Sequence, residues 1–378
     1  MHSDEKRGHA GVLPAAAVAP QSERLKFNGE NGFQMELRRR IEAYMQSTGR
    51  SQRDCPRMYA KTGIIFGVFA ASYVALVFFA ATWWQTVPLA ILLGLSAAAI
   101  GFNIMHDGGH KAYSKRAWVN RLMSITVDLI GGSSYVWHWK HGVFHHTYSN
   151  ITGYDTDIAM GALARFTPHQ KRLLFHRWQH WYVWFLYGLM ALKWHFYDDF
   201  RDVIRGRMDG HVFPRPKGRE LAIFLGGKVL FLLLAFGIPL LFHPVWEVAL
   251  FYGIAVVVLG VALSLVFQLA HCVEEADFPL PTEPGRMDNS WGIHQVETTV
   301  DFARRSRLAA WLFGGLNYQI EHHLFSRVCH VNYPAISKLV EETCHEFGVR
   351  YTVHDSLFAG LRSHFRWLRR MGRAPAAA

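Results

Sequence analysis

Four long apolar stretches dominate the pattern of hydrophobic and polar positions along the chain. A helix rises about 1.5 Å per residue and the hydrocarbon core of a bilayer is about 30 Å thick, so a transmembrane helix needs roughly 20 apolar residues. The only charged residues within the stretches are Lys228 and Glu247. The pattern therefore predicts four transmembrane helices, over residues 62–82, 87–105, 221–242 and 245–270.

The links within each pair of stretches are short. Residues 83–86 join the first two and His243 with Pro244 joins the last two, which predicts two helical hairpins. Neither link contains Lys or Arg, and every basic residue except Lys228 lies in the N-terminal, middle or C-terminal segment. By the positive-inside rule these segments are cytoplasmic. We therefore expect an all-α, multi-pass integral membrane protein with four transmembrane helices in two hairpins and a cytoplasmic helical cap, with both termini cytoplasmic.

The same pattern divides the chain into six segments. They are a disordered tail (1–24), a cytoplasmic N-terminal segment (25–61), a first transmembrane hairpin (62–105), a cytoplasmic cap (106–220), a second hairpin (221–270) and a C-terminal cytoplasmic cap (271–378). Within the first cap, Trp178–Phe200 is rich in Trp and Tyr but contains Lys193 and two histidines. We predict an interfacial helix there rather than a fifth span.

Charge and cysteine content exclude several function classes. The formal net charge of +11 favours an anionic membrane surface or an acidic protein partner, and no recognised motif indicates nucleic-acid binding. The four cysteines form no CxxC pair, which excludes a disulfide framework and a thiolate-ligated iron–sulfur module.

Three short motifs contain many of the 22 histidines. They are His106-Asp-Gly-Gly-His110, His141-Gly-Val-Phe-His145-His146 and Gln319-Ile-Glu-His322-His323. Helical residues at i and i+4 share a face, whereas adjacent residues diverge by roughly 100°, so each adjacent pair can serve two neighbouring metals. The spacing therefore indicates a dinuclear site in the cytoplasmic cap.

A further histidine, His271, follows the fourth apolar stretch as His106 follows the second. If both helix ends face the same side of the membrane, His271 joins the same site. The candidate metal ligands are His106, His110, His141, His145, His146, His271, His322 and His323. Gln319 lies where a ninth ligand could stand, and its amide could bind weakly, hold a water or do neither.

The ligand type restricts the metal. Magnesium and calcium prefer oxygen ligands and structural zinc usually takes thiolates, whereas imidazole suits zinc, copper, iron or nickel. HExxH is absent, and an all-nitrogen pair beside a bilayer favours iron and O2 activation.

Neighbouring residues could support such a site. Metal-bound imidazoles usually donate their second N–H to a carboxylate or carbonyl. The carboxylate candidates are Asp107, Asp155, Asp157, Glu274, Glu275 and Glu321. Trp137 could line an acyl tunnel or anchor the chain at the interface, and His294 could touch the substrate or support the site. We expect seven scattered histidines to lie outside it, namely His2, His9, His176, His180, His211, His354 and His364.

The three motifs, with their order relative to the apolar stretches, resemble the histidine boxes of membrane-bound fatty acid desaturases over roughly residues 25–350. The resemblance implies a non-haem di-iron site, with two Fe ions held by the eight histidines, that uses O2 and two electrons to remove hydrogens from adjacent methylenes of an acyl chain. Gln319 at the head of the third box resembles the front-end subgroup, although related bacterial acyl desaturases share it.

The same resemblance implies the partners. The substrate would be an acyl lipid, an acyl-CoA or an acyl-carrier conjugate. Fused front-end enzymes carry a His-Pro-Gly-Gly haem motif that this sequence lacks. We therefore expect electrons from a separate donor, either ferredoxin or cytochrome b5 with its reductase.

Two alternatives stay open at this point. The same scaffold could act as an acyl hydroxylase or an acetylenase. A non-catalytic membrane metal-binding or transport protein is the second alternative, but polar groups would then be expected inside the spans, and the spans contain few, with Asn103, Lys228 and small hydroxyl residues among them.

Overall fold

The computed structural model describes residues 24–29 and 32–373, and this part of the chain is mostly helical. The predicted tail over 1–24 therefore lies, apart from Arg24, outside the described residues. The α-helices are α1 (Gly32–Thr48), α2 (Pro56–Phe78), α3 (Trp83–Ala99), α4 (His106–Gly109), α5 (Ala117–Leu129), α6 (Ser134–Trp137), α7 (His146–Tyr148), α8 (Gln179–Lys193), α9 (Asp199–Arg205), α10 (Arg219–Leu232), α11 (Val245–His271), α12 (Trp291–Glu297), α13 (Arg307–Leu312), α14 (Gln319–Leu324), α15 (Tyr333–Glu346) and α16 (Leu357–Gly372).

Shorter helical segments of two other types join or extend these helices. The π segments are Ile100–Met105, His138–His145, Trp194–Asp198 and Leu233–Gly237. The 3₁₀ segments are Leu174–Trp178, Pro239–Leu241 and His330–Asn332.

Three two-stranded sheets make the expectation of a purely helical fold wrong in detail. The strands are β1 (Lys26–Asn28), β2 (Arg207–Met208), β3 (His211–Val212), β4 (Arg286–Ser290), β5 (Asp301–Phe302) and β6 (Val353–His354). β1 pairs with β4 and β5 with β6, both in parallel, while β2 and β3 are antiparallel. These short pairs give backbone groups partners where irregular segments meet, and they are too short to produce an alternating pattern.

Four helices in the described part of the chain are long and apolar enough to cross a membrane, as predicted. They are Pro56–Phe78, Trp83–Gly109, Arg219–Leu241 and Val245–His271. The predicted link over residues 83–86 is wrong, because the second of these helices already begins at Trp83. The second and fourth have 27 residues each, about 40 Å of helix, which exceeds the hydrocarbon thickness and allows their C-terminal ends to extend beyond it.

The four long helices pack unequally. α3 packs along α2 and α11, and α11 also packs along α8. A Cβ on Gly260 would lie 2.5 Å from the Tyr187 carbonyl oxygen, so glycine permits this close crossing of α11 and α8. In contrast, α10 packs against α5 and approaches α11 mainly near their connecting end. The last two apolar helices therefore form no closely packed pair along their length.

The charge of Lys228 is neutralised within the helical bundle. Its Nζ lies 2.7 Å from Oδ2 of Asp199 and 2.7 Å from the carbonyl oxygen of Gly131. Asp199 belongs to the segment after α8, in the region where Trp178–Phe200 was predicted to form one helix. That region instead comprises the end of a 3₁₀ segment, α8, a π segment and the start of α9, and its interfacial position stays a prediction. All four cysteines are free and buried.

Candidate metal centre

The eight predicted ligands lie at the ends of two long helices and on two segments that pack beside them. His106 lies in the last turn of the helix that runs from Trp83 to Gly109, His110 follows that helix directly, and His271 ends α11. The second motif occupies the π segment His138–His145 and the start of α7, and α14 carries the third motif. Every one of the eight histidines is at most 9% exposed. Residues separated by more than 200 positions are thus brought into one buried group.

The imidazole nitrogens form two neighbouring sets. One set comprises His106, His110, His141 and His322, whose ligand atoms lie within 4.8 Å of one another. The other comprises His145, His271 and His323, within the same limit. The adjacent residues His322 and His323 fall in different sets, with ring planes 84° apart, as their divergence on a helix predicts.

His146 lies between the two sets. Its ligand atom is within 4.8 Å of those of His322 and His323, and its Nε2 is 2.9 Å from Nε2 of His322. Two nitrogens that face each other at this distance can share one proton or turn toward one metal. The arrangement links both sets into one continuous cluster of imidazoles.

Most of the inward-facing nitrogens have no protein partner. The Nε2 atoms of five candidate ligands are buried and form no hydrogen bond within the described part of the chain, and these are His106, His110, His141, His145 and His323. Buried polar atoms without a partner are uncommon in folded proteins. Imidazole nitrogens are good ligands for iron, zinc, copper or nickel, so the unpartnered atoms fit a pair of such metals.

The opposite nitrogens of the same rings are held from outside. Nδ1 of His141 is 2.8 Å from Oδ2 of Asp157, and Nδ1 of His145 is 3.0 Å from both carboxylate oxygens of Asp155. This fixes the ring orientation and leaves Nε2 free, as in metal sites where the second imidazole nitrogen donates to a carboxylate. Two of the six predicted carboxylates therefore occupy the predicted position.

The geometry agrees with the comparison with known proteins. The fatty acid desaturase family model matches residues 81–355. The chain belongs to the fatty acid desaturase family. It is 38% identical over 356 residues to an sn-1 linoleoyl-lipid 6-desaturase of Arthrospira platensis, covering 93% of this chain and 96% of that relative.

Two further relatives extend the similarity. An sn-1 linoleoyl-lipid 6-desaturase of Synechocystis sp. is 37% identical, with 93% of this chain and 99% of the relative covered. An acyl-lipid (8-3)-desaturase of Physcomitrium patens is 36% identical, with 90% of this chain and 72% of the relative covered. The chain is thus a membrane enzyme of the desaturase family, and the three histidine motifs are referred to below as its boxes.

The other four carboxylates do not support the boxes in the predicted way. Glu275 bonds to His354 and Glu321 to Tyr351. Glu274 forms no side-chain hydrogen bond to a candidate ligand among the described residues. Asp107, although next to His106, accepts from Nδ1 of His330 at 2.9 Å.

Three outer partners of the boxes were not predicted from the sequence. Oε1 of Gln295 lies 2.6 Å from Nδ1 of His323, Oγ of Ser149 lies 3.4 Å from Nδ1 of His271, and the Tyr333 hydroxyl lies 3.3 Å from Nδ1 of His322. Neutral oxygens do not stand out in a sequence as carboxylates do.

His294, for which the sequence left two roles open, lies behind this outer layer. Its Nε2 is 2.9 Å from the carbonyl oxygen of Ser149, the residue whose hydroxyl faces His271. Burial lowers the pKa of His294 to about 4, so the ring is neutral and can donate to that carbonyl. His294 therefore contacts the backbone of the residue whose hydroxyl faces His271, and no contact with a candidate ligand is seen among the described residues.

Gln319 lies against the second set of nitrogens. Its amide nitrogen is 3.0 Å from Nε2 of His271, so the amide donates to the lone pair that a metal would require. Metal binding by His271 therefore requires the Gln319 side chain to turn.

Burial keeps most of the box histidines neutral. Desolvation holds the pKa of His110, His146, His322 and His323 well below the ordinary value. Neutral imidazole is the form that binds a metal. His145 differs: burial lowers its pKa, but the carboxylates of Asp155 and Asp157 together raise it, and the net shift is upward.

A tryptophan forms one wall of the first set. The Trp137 ring centroid is 4.8 Å from that of His141, 5.2 Å from His110 and 5.7 Å from His106. A Cβ on Gly109 would overlap Cζ3 of Trp137, so this glycine in the first box gives the indole its place. Trp137 therefore packs on the candidate ligands of the first set.

A buried polar chain leads from the first box to α2. Asp107 accepts from His330, and Nε2 of His330 is 3.0 Å from Nζ of Lys61. All three side chains are buried. His330 was not singled out in the sequence, because nothing in its local pattern distinguishes it from a histidine outside the site.

The scattered histidines lie apart from the boxes, as expected, where the structure describes them. His176 and His211 contact backbone carbonyl oxygens, His354 bonds to Glu275, and His364 lies between Tyr187 and the carbonyl of Cys272. His180 packs on Phe365. His2 and His9 fall outside the described residues.

An apolar cavity of about 390 Å³ lies among the long helices. It occupies the space between α10 and α11, lined by Phe231 and Tyr252, and extends to α2 and α3, where Ala97 lines it. Ala97 lies on the same continuous helix as His106. The cavity lies where α10 and α11 stand apart.

Proposed function

We propose that this protein is an O2-dependent fatty acyl desaturase that introduces a double bond into a lipid acyl chain at a non-haem di-iron centre. The observation that carries the proposal is the buried cluster of eight imidazoles, in which five Nε2 atoms have no protein partner among the described residues. Membership of the desaturase family supports the same reaction class.

The residues that would hold the two iron ions follow from the two sets. His106, His110, His141 and His322 would hold one, and His145, His271 and His323 the other, with His146 available between them. The bound irons would supply O2 activation and hydrogen removal, in a reaction that takes two electrons and two protons and releases two waters. Asp155, Asp157 and Gln295 orient the rings, and burial excludes bulk water from the site.

An acyl lipid is the proposed substrate, because the relatives from Arthrospira platensis and Synechocystis sp. are named for lipid-bound acyl chains and 6-desaturation. An acyl-CoA or acyl-carrier substrate is the alternative. We also propose front-end desaturation, and the same relatives and Gln319 at the head of the third box support it. The apolar cavity would accommodate the methyl end of the chain, since transfer of hydrocarbon from water to apolar surroundings lowers the free energy.

The proposed topology keeps the boxes, both termini and the cap on the cytoplasmic side, with the four apolar helices as two transmembrane hairpins. The support is the distribution of basic residues, since the two links carry none. An external donor, ferredoxin or cytochrome b5 with its reductase, would deliver the electrons from that side.

A transport function finds little support in the spans. Lys228 is paired with Asp199, and the Asn103 amide donates to the carbonyl oxygens of Ala99 and Leu312. These two polar residues therefore have partners of their own.

The direct test is lipid analysis of cells that express the protein and lack an equivalent desaturase. We expect a new double bond, located by mass spectrometry between an existing one and the carboxyl end, and its loss in a His322→Ala variant. A hydroxylated or acetylenic product without a new double bond would overturn the proposed reaction in favour of an acyl hydroxylase or acetylenase.

A further inference from the structure

The last helix, α16, carries a row of arginines on its outward face. The row consists of Arg362, Arg366 and Arg369, together with Arg373 directly after the helix, all of them exposed. Their spacing of three or four residues places them on one side of the helix, while His364 and Trp367 are buried on the opposite side. Among the described residues, none of the four arginines forms an ion pair with an acidic side chain.

This helix begins beside the end of an apolar helix. A Cβ on Gly360 would lie 3.8 Å from Leu269, two residues before His271 at the end of α11. At the other end of α16, Gly372 approaches the His176 carbonyl so closely that a Cβ would overlap its oxygen. α16 is therefore held between the end of a membrane span and the 3₁₀ segment that precedes α8.

An exposed aromatic stripe runs beside the arginines. Trp178, directly before α8, and Trp181 and Phe185, in its first half, are 55%, 63% and 68% exposed. Phe365 of α16 packs on Trp181 with ring centroids 5.3 Å apart, which places the stripe next to the row. Trp and Phe at such a position are typical of the boundary between headgroups and acyl chains.

We propose that the row and the stripe together, here called the arginine–aromatic face, bind anionic phospholipid headgroups of the leaflet nearest the histidine boxes. The arginines supply positive charge that no described acidic group neutralises, and guanidinium groups bind phosphate in a bidentate manner. The neighbouring exposed aromatic rings favour a bilayer over a water-soluble acidic partner. The inference rests on the four apolar helices spanning a membrane and does not depend on the reaction.

The test compares the full chain in nanodiscs of phosphatidylcholine with the same chain in nanodiscs that contain about a third phosphatidylglycerol. Native mass spectrometry counts the lipids that stay bound after release, and hydrogen exchange follows the backbone of α16. For the wild type we expect preferential retention of phosphatidylglycerol. We also expect backbone amide exchange in α16 to be slower by roughly fivefold or more in the anionic discs than in the phosphatidylcholine discs, and both effects should decrease at high salt.

Three variants make the result specific. Replacing the four arginines by Gln should remove both effects, and replacing them by Lys should retain most of the lipid preference. A matched variant with Lys26, Lys115, Arg327 and Lys338 changed to Gln should behave as the wild type, since these exposed residues lie on other elements. Equal melting temperatures in detergent show that each variant is folded.

The inference is overturned if the Gln variant retains its preference for phosphatidylglycerol. It is also overturned if the Gln variant binds lipid as the wild type does but has lower turnover with a protein electron donor and unchanged turnover with a small-molecule reductant. The row would then be a donor-binding surface.

Discussion

Nδ1 of His145 lies 3.0 Å from both carboxylate oxygens of Asp155, and neither side chain is exposed to solvent. The same carboxylate accepts from the backbone N–H groups of Asn150 and Asp157. Asp155 therefore fixes the ring of His145 and the turn that places Asp157 against His141 at the same time.

We expect Asp155→Asn to weaken metal binding by about 10- to 100-fold, because it disturbs the orientation of His145 while leaving every candidate ligand in place. The measurement is iron retained after dialysis against a chelator. Asp355→Asn, a change at an exposed carboxylate, is the control. Iron retention equal to that of the wild type would show that Asp155 does not support the site.

His330 should be important for stability although it is no candidate ligand. His330→Ala removes the imidazole that donates to the buried Asp107 carboxylate, and loss of the hydrogen-bond partner of a buried polar group costs about 1–3 kcal/mol. We expect a lower free energy of unfolding than in the control His345→Ala, which removes an exposed ring. Equal melting temperatures for the two variants would refute this role.

Gly109→Ala should expel the Trp137 indole from the first box. The added Cβ would overlap the ring, and overpacking of this kind costs about 1–3 kcal/mol. A second change, Trp137→Leu, should recover part of the loss, because the two effects are coupled through one contact. Gly253→Ala, where nothing lies within 4 Å of the new Cβ, serves as the control. The measurement is the free energy of unfolding, and an equal decrease in both glycine variants would contradict the steric argument.

The cavity among the long helices should limit the length of the acyl chain. Ala97→Phe places a large ring in this space, so we expect conversion of long chains to fall more than conversion of short ones. Leu95→Phe, on an exposed side of the same helix, is the control. The measurement is product yield for acyl chains of graded length, and an unchanged length profile would place the chain elsewhere.

The long helices and the residues of the boxes could be predicted from the sequence. Uninterrupted apolar stretches of about 20 residues rarely form anything but membrane spans, and His106 and His271 each follow such a stretch, so the helices themselves bring them together. Adjacent histidines also diverge as helix geometry requires, which is why His322 and His323 fall in different sets.

Other features depend on contacts between distant segments and leave no local pattern. The π segment of the second box lengthens the hydrogen-bonded turn without changing the residue types, so the sequence alone does not distinguish it from the helix that the spacing of His141 and His145 predicts. Gln295 and Tyr333 reach the boxes from separate helices. α10 and α11 stand apart at the cavity, and the short connection between them gives no indication of it.

Metal content of the purified protein tests the central claim most directly. After iron loading, the wild type and His345→Ala should each contain two iron ions per chain, with a Mössbauer spectrum of nitrogen-ligated iron, whereas His145→Ala and His322→Ala should lose at least one of the two. Absence of iron from the wild type, or equal iron in all four proteins, would contradict the account.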